Sequence, residues 1–105
     1  MKILSYGNYV GDGVKGLIKD GGSSRVAAVR KAIEAAGGTL ECMYFSGFEY
    51  DYFNITNWPD SVSAAAVALT FRATGLVTVN AHVIMTAEEM DEAAKKSIAY
   101  RGPGQ

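Results

Sequence analysis

The sequence predicts an α+β fold in which four strands form one antiparallel sheet, with helices on one of its faces. Three observations support this prediction. The chain has 105 residues, enough for one hydrophobic core. The stretch from Thr39 to Thr56 is rich in aromatic residues and is interrupted at Ser46-Gly47, which favours two strands joined by a tight turn. Segments with helical periodicity precede and follow this hairpin.

The part of the chain before the hairpin predicts one strand and one long helix. Apolar and polar residues alternate from Lys2 to Tyr6, as in a half-buried strand. A short helical turn is expected over Val14 to Ile18. The helix from Arg25 to Ala36 carries apolar residues at spacings of three and four. Ser23 or Ser24 is its expected N-cap.

The part after the hairpin predicts a helix, a strand and a final helix. Asp60 or Ser61 is expected to cap an alanine-rich helix from Val62 to Ala73. The fourth strand is expected over Leu76 to Met85. Thr86 and Glu89 have the spacing of a capping box at the start of a last helix, which should run to about Ala99. Residues 100–105 form a polar tail.

The element order is therefore β-α-β-β-α-β with an extra C-terminal helix, all within one domain of residues 1–105. Two right-handed crossovers around a central hairpin indicate a ferredoxin-like fold. Because its helices cover only one face, the other face of the sheet is expected to be uncovered.

Alternation along the third and fourth strands predicts which residues lie on the uncovered face, whereas in the first two strands either set of side chains suits it. In the fourth strand, Asn80 and His82 should point to it, while Val77, Val79, Ala81, Val83 and Met85 should face the helices. In the third strand, Phe53 and Ile55 suit the core. This assignment places Tyr50, Tyr52 and Asn54 on the uncovered face.

Composition limits the kinds of partner. Ten basic and eleven acidic residues give a net charge of −1, with no basic stripe for phosphates, so no nucleic-acid binding is expected. No apolar stretch suits a signal peptide or a membrane span. The single cysteine, Cys42, forms no internal disulfide and fits a cytoplasmic location. One histidine and scattered acids predict no metal site, and no cofactor is predicted.

Candidate site residues come from the uncovered face. An aromatic sheet face invites association, so a homodimer or higher homo-oligomer is expected. Two such faces would enclose a pocket for a small organic ligand, with Tyr6, Tyr50, Tyr52, Asn80 and His82 as its binding residues. His82 is the only imidazole for acid–base catalysis. Asp51 is expected to accept backbone amides rather than act as a base.

Three stretches resemble the GYD-domain proteins, a largely uncharacterised family: Glu41 to Asp60, Gly13 to Leu17, and Ser97 to Gln105. One departure is that Phe48 occupies the position before Glu49-Tyr50-Asp51 where the family usually has glycine. The resemblance covers nearly the whole chain. It implies a ferredoxin-like subunit of the dimeric α/β-barrel kind.

The leading functional hypothesis is a homo-oligomeric module that binds a small organic ligand between apposed sheets. A cofactor-independent oxygenase- or lyase-like enzyme is the alternative, with His82 as acid or base and Asn80 or a tyrosine positioning an oxyanion. Purely structural assembly is the third hypothesis.

Overall fold

A computed structural model describes all residues from Met1 to Gln105, and it confirms the α+β fold with a four-stranded antiparallel sheet. The element order follows the prediction, and the short helical turn expected over Val14 to Ile18 is a full helix. The elements in chain order are β1 (Lys2–Gly7), α1 (Asp12–Asp20), α2 (Gly22–Ala35), β2 (Thr39–Phe45), β3 (Tyr52–Asn57), α3 (Ser61–Ala73), β4 (Asn80–Ile84) and α4 (Ala87–Lys95).

The strands are arranged in the order β2-β3-β1-β4, which is consistent with the ferredoxin-like arrangement. The central strand β1 pairs antiparallel with β3 and β4, so Leu4 lies between Ile55 and His82. Between Leu40 and Cys42 the pairing of β2 with β3 shifts by one residue at a β-bulge.

The core lies between the sheet and α2. Its buried members come from β1, β2, α2 and the end of the hairpin: Ile3, Leu40, Val29, Ile33 and Trp58. The indole N–H of Trp58 donates to the Thr56 hydroxyl at 2.7 Å, so the largest core residue is satisfied without water. Its backbone carbonyl also accepts from the Met1 amino group at 2.8 Å.

The predicted orientation of β3 is wrong. Tyr52, Asn54 and Thr56 are buried on the helix side, while Phe53 lies on the opposite face and is 38% exposed. The register explains this result, since Phe53 pairs with Tyr6 and Tyr52 pairs with Gly7. A side chain at Gly7 would clash with the Tyr52 hydroxyl and with the Thr78 carbonyl, so the glycine makes room for the ring.

Several element boundaries differ from the predictions. The connection between β2 and β3 is six residues long, closed by a 2.9 Å bond from the Ser46 amide to the Asp51 carbonyl, rather than a tight turn. α1 is longer than predicted, and α2 begins at Gly22 with Gly21 as its N-cap, not Ser23 or Ser24.

The fourth strand is shorter than predicted, because residues 76–79 pair irregularly with the loop after β1. The Leu76 carbonyl accepts a hydrogen bond from the Val10 amide, and the Thr78 amide donates to the Asn8 carbonyl. The last helix ends at Lys95 rather than near Ala99.

Both predicted helix caps after the hairpin are confirmed. The Asp60 carboxylate accepts the Ser63 amide at 2.7 Å at the start of α3, and this bond lowers the pKa of Asp60. Thr86 and Glu89 form the reciprocal capping box of α4.

The chain is extended for its size. Its radius of gyration is 17.0 Å, whereas a compact chain of about 100 residues has about 13 Å. Only 12 of the 105 residues are buried. α4 buries none of its residues, so the C-terminal arm, residues 86–105, adds to this extension. No helix has both the length and the apolar character needed to cross a bilayer.

Candidate functional site

The face of the sheet that points away from α2 is called the open face. α2 packs on the other side, against β2, and α1 and α3 line a cavity on that same inner side. The strand registers place on the open face the side chains of Tyr6, Tyr44, Phe53, Asn80 and His82. The predicted open-face positions of Asn80 and His82 are therefore confirmed, and Tyr6, whose strand could face either way from sequence, lies on the same face.

Four rings on the open face form an aromatic cluster: Tyr6, Tyr50, Phe53 and His82. The Tyr6 ring is its centre. It meets Tyr50 edge-on at 4.8 Å between ring centroids, and it stacks on His82 at 5.6 Å with 24° between the planes. Phe53, which lies on β3 at the other side of β1, stacks on Tyr6 with 6.1 Å between the ring centroids. These distances are those of attractive aromatic pairs.

The Tyr6 hydroxyl and His82 Nε2 are joined by a hydrogen bond of 3.0 Å. The two groups come from neighbouring strands whose pairing sets Leu4 opposite His82, so Tyr6 reaches it diagonally along the strand. Together they present a hydroxyl and an imidazole at one point of the cluster. Such a pair can hydrogen-bond a polar substituent of a ligand or relay a proton.

Asn80 belongs to the same face but has a structural contact. Its side-chain amide donates to the backbone carbonyl of Tyr6 at 3.3 Å. This bond links the beginning of β4 to the strand that carries the centre of the cluster. One amide hydrogen of Asn80 remains for another acceptor.

The structure corrects the predicted site at Tyr52. This residue lies on the inner side, is 5% exposed, and donates from its hydroxyl to the Thr78 carbonyl at 2.6 Å. Burial, together with the neighbouring Tyr9, raises the pKa of Tyr52. Tyr52 is therefore absent from the open face, and Phe53 takes the corresponding place there.

The position of Tyr50 depends on the loop that precedes β3. Asp51 Oδ2 accepts the Tyr9 amide at 2.9 Å, and the Asp51 amide donates to the Gly7 carbonyl at 2.9 Å. The amide also approaches Asn8 Oδ1 at 3.1 Å. The prediction that Asp51 accepts a backbone amide is confirmed. These bonds fasten the loop to the end of β1, beside Tyr6.

Sequence reasoning missed Phe53 as a member of the cluster, because its apolar side chain was assigned to the core. The signal that could have revealed it was Gly7, whose missing side chain accommodates a large neighbour on the inner side.

Elsewhere on the sheet, Lys2 and Glu41 form an ion pair, and Lys2 lowers the pKa of Glu41. No group of three metal-ligating side chains is brought together.

Comparison with family models identifies one match. The model of the GYD domain matches residues 4–94, which include most of β1, all of β2 to β4 and most of α4. No curated protein and no solved structure matches the chain.

Proposed function

The chain belongs to the GYD-domain family, and we propose that it is a homo-oligomeric module that binds a planar organic ligand between the open faces of two subunits. The observation that carries this proposal is the aromatic cluster with its hydrogen-bonded Tyr6–His82 pair on a sheet face that no helix covers. Aromatic rings stack on planar ligands, and the hydroxyl–imidazole pair offers one specific polar contact.

The exposed surface supports assembly. The single subunit exposes 7258 Å², whereas a compact monomer of 11.2 kDa exposes about 5,700 Å². A standard interface buries about 800 Å² on each partner, so the excess is large enough for one or more such contacts. On the open face Tyr44 is 70% exposed and Phe53 is 38% exposed. A second copy of the face would remove these rings from water.

The C-terminal arm supports the same proposal. Its apolar side chains are largely in water, with Ile98 78% and Tyr100 81% exposed. A nine-residue helix such as α4 is marginal in isolation, so packing against a second subunit would stabilise it. We expect the arm to lie across the partner subunit. Removal of residues 100–105 should then weaken assembly.

Native mass spectrometry tests the assembly. The wild type should appear as a dimer or a multiple of dimers. The double variant Tyr44→Glu/Phe53→Glu should appear as a monomer, because it brings carboxylates face to face. Val62→Glu is the matched control, since Val62 is 77% exposed on α3, away from the open face. A monomeric wild type, or an unchanged mass of the double variant, would refute the assembly.

The ligand half of the proposal is tested with 1-naphthol, a planar aromatic with one hydroxyl group, in the same spectrometer and by fluorescence. We expect one binding site within each pair of subunits, lost in Tyr50→Ala and weakened in His82→Ala. An oligomer that keeps its mass but binds no 1-naphthol would leave a purely structural assembly module as the conclusion.

A second candidate function is a cofactor-independent oxygenase- or lyase-like enzyme. The specific observation in its favour is that the Tyr6 hydroxyl and His82 Nε2 converge within 3.0 Å. Dioxygen uptake in the presence of 1,4-dihydroxynaphthalene distinguishes the oxygenase from simple binding. Equal uptake rates of the wild type and His82→Gln would reject a catalytic role of this histidine.

A further inference from the structure

A cavity of about 480 Å³ lies on the inner side of the sheet, opposite the open face. Its floor is formed by β1, β3 and β4, including Ile3, Asn54 and Ala81, and its walls by α1, α2 and α3. None of the four rings of the aromatic cluster lines it. The volume falls within the range of about 300–1,000 Å³ that is usual for small-molecule sites.

The cavity exists because small side chains of α3 face the sheet. Ala64, Ala65 and Ala68 line it where larger residues would fill the space. The inner face of β4 is correspondingly uncovered, with Val83 66% exposed. The lining is therefore mostly apolar, and an apolar molecule would bury surface on both the helices and the sheet.

Two residues that line this apolar cavity, Arg25 and Asn54, each have a buried polar atom without a partner. Asn54 is 7% exposed, and its side-chain Oδ1 is buried without a hydrogen bond. The Arg25 Nε is also buried without a hydrogen bond. A buried polar group left unpaired destabilises the folded chain. Because both residues line one cavity, a ligand bound there, with a small movement of these side chains, would supply the missing partners.

The positive charge of Arg25 indicates that the ligand carries a negative charge. Arg25 lies in the first turn of α2, where the helix dipole disfavours a cation and where no acidic residue is present. No carboxylate lies within 4.0 Å of it, since the chain has only the Lys2–Glu41 and Lys15–Asp12 ion pairs. Asp12 and Asp20 also line the cavity, from exposed positions on α1. A carboxylate ligand would pair with Arg25 and with the N-terminal end of α2.

We propose that this cavity binds a small amphipathic carboxylic acid. Its carboxylate pairs with Arg25, and its apolar body lies among Ile33, Phe71 and Val79. A hydroxyl group on that body donates to Asn54 Oδ1. This site is independent of the proposed function, because it lies on the other side of the sheet and uses none of the residues of the aromatic cluster.

Binding of decanoate to the full-length protein tests the proposal, with decan-1-ol as the uncharged control ligand. Amide shifts in ¹H–¹⁵N spectra should change at Val29, Ile33 and Ala81, and not at Tyr6 or His82. Arg25→Met should weaken decanoate binding at least tenfold while leaving decan-1-ol unaffected. 10-Hydroxydecanoate should bind more tightly than decanoate to the wild type but not to Asn54→Leu.

A cavity-filling variant separates binding from folding. Ala68→Leu should exclude decanoate, whereas Ala66→Leu, on an exposed part of α3 outside the cavity, should bind like the wild type. Circular dichroism confirms that each variant is folded, and decanoate should raise the melting temperature of the wild type and of Ala66→Leu only. Absence of binding at about 1 mM decanoate, or equal affinity of Arg25→Met, would overturn the proposal.

Discussion

The Tyr52 hydroxyl donates to the Thr78 carbonyl at 2.6 Å, across the inner side of the sheet. Tyr52 begins β3, and Thr78 lies in the irregular segment before β4. The two strands are separated by β1, so this bond passes over Gly7, the residue between them. It joins the hairpin to the last strand, and it explains why a tyrosine rather than phenylalanine is buried at this position.

Tyr52→Phe should lower the free energy of unfolding by about 1 kcal/mol at neutral pH, because the Thr78 carbonyl loses its donor. Chemical denaturation at one fixed protein concentration measures the difference, since assembly would otherwise change the apparent stability. Lys31→Gln, at an exposed position on α2 away from the open face, is the control and should be unchanged. An unchanged free energy of unfolding in Tyr52→Phe would show that the hydrogen bond from Tyr52 to Thr78 does not stabilise the protein.

The same residue predicts a dependence on alkaline pH. The pKa of Tyr52 is raised above its ordinary value of 10.0 in the folded state, mainly by burial. The unfolded chain therefore loses this proton first as the pH rises. The contribution of Tyr52 to the free energy of unfolding is intact below pH 10. Above pH 10 it falls by up to about 1.4 kcal/mol per pH unit. Denaturation between about pH 9 and 11 should show a smaller slope of stability against pH for Tyr52→Phe than for the wild type.

Two glycine substitutions should change the free energy of unfolding in opposite directions. Gly38→Ala places a methyl group against the Trp58 ring at 2.7 Å, so we expect a loss of about 1–3 kcal/mol. Gly16→Ala, within α1, meets no atom within 4 Å and should stabilise the protein by about 0.5–1 kcal/mol. Thermal unfolding of both variants measures the pair. If Gly38→Ala were as stable as Gly16→Ala, the close packing of Trp58 would be in doubt.

Asp51→Ala should loosen the loop that carries Tyr50. The Tyr9 amide would lose a charged acceptor, which is expected to cost about 1–3 kcal/mol. Glu49→Ala changes an exposed acid two residues earlier and is the control. Tyr50 and Tyr6 should lose their mutual ring-current shifts in Asp51→Ala only. Unchanged ring shifts would show that Tyr50 is positioned without this bond.

The capping box makes α4 sensitive to acid. Hydrogen bonds from Thr86 hold the pKa of Glu89 below its usual value in the folded state. The contribution of ionised Glu89 to α4 is therefore present at neutral pH and is lost as the pH falls below the ordinary value of 4.5. The protection factors of residues 87–95, which correct for the intrinsic pH dependence of amide exchange, should fall on acidification, and Thr86→Ala should already show low protection factors at neutral pH. Equal protection in the two proteins would refute the role of the box.

The local features of this chain were predictable from sequence. The order of strands and helices, the Asp60 cap and the capping box at Thr86 were all predicted and are present. Such features depend on residues that are close together along the chain, as with a side chain and the amide three positions later. The family follows equally from sequence, because its model matches residues 4–94.

Tertiary structure alone decided which side of β3 faces the helices. Phe53 and Ile55 are more apolar than Asn54 and Thr56, so local hydrophobicity favoured the wrong face. The register with β1 sets the orientation instead, and a shift of one residue would exchange every side chain between the faces. The pairing of Tyr52 with Gly7 thereby assigned Phe53 to the aromatic cluster and Asn54 to the inner cavity. Sequence determined the elements, and long-range pairing determined which residues meet at each site.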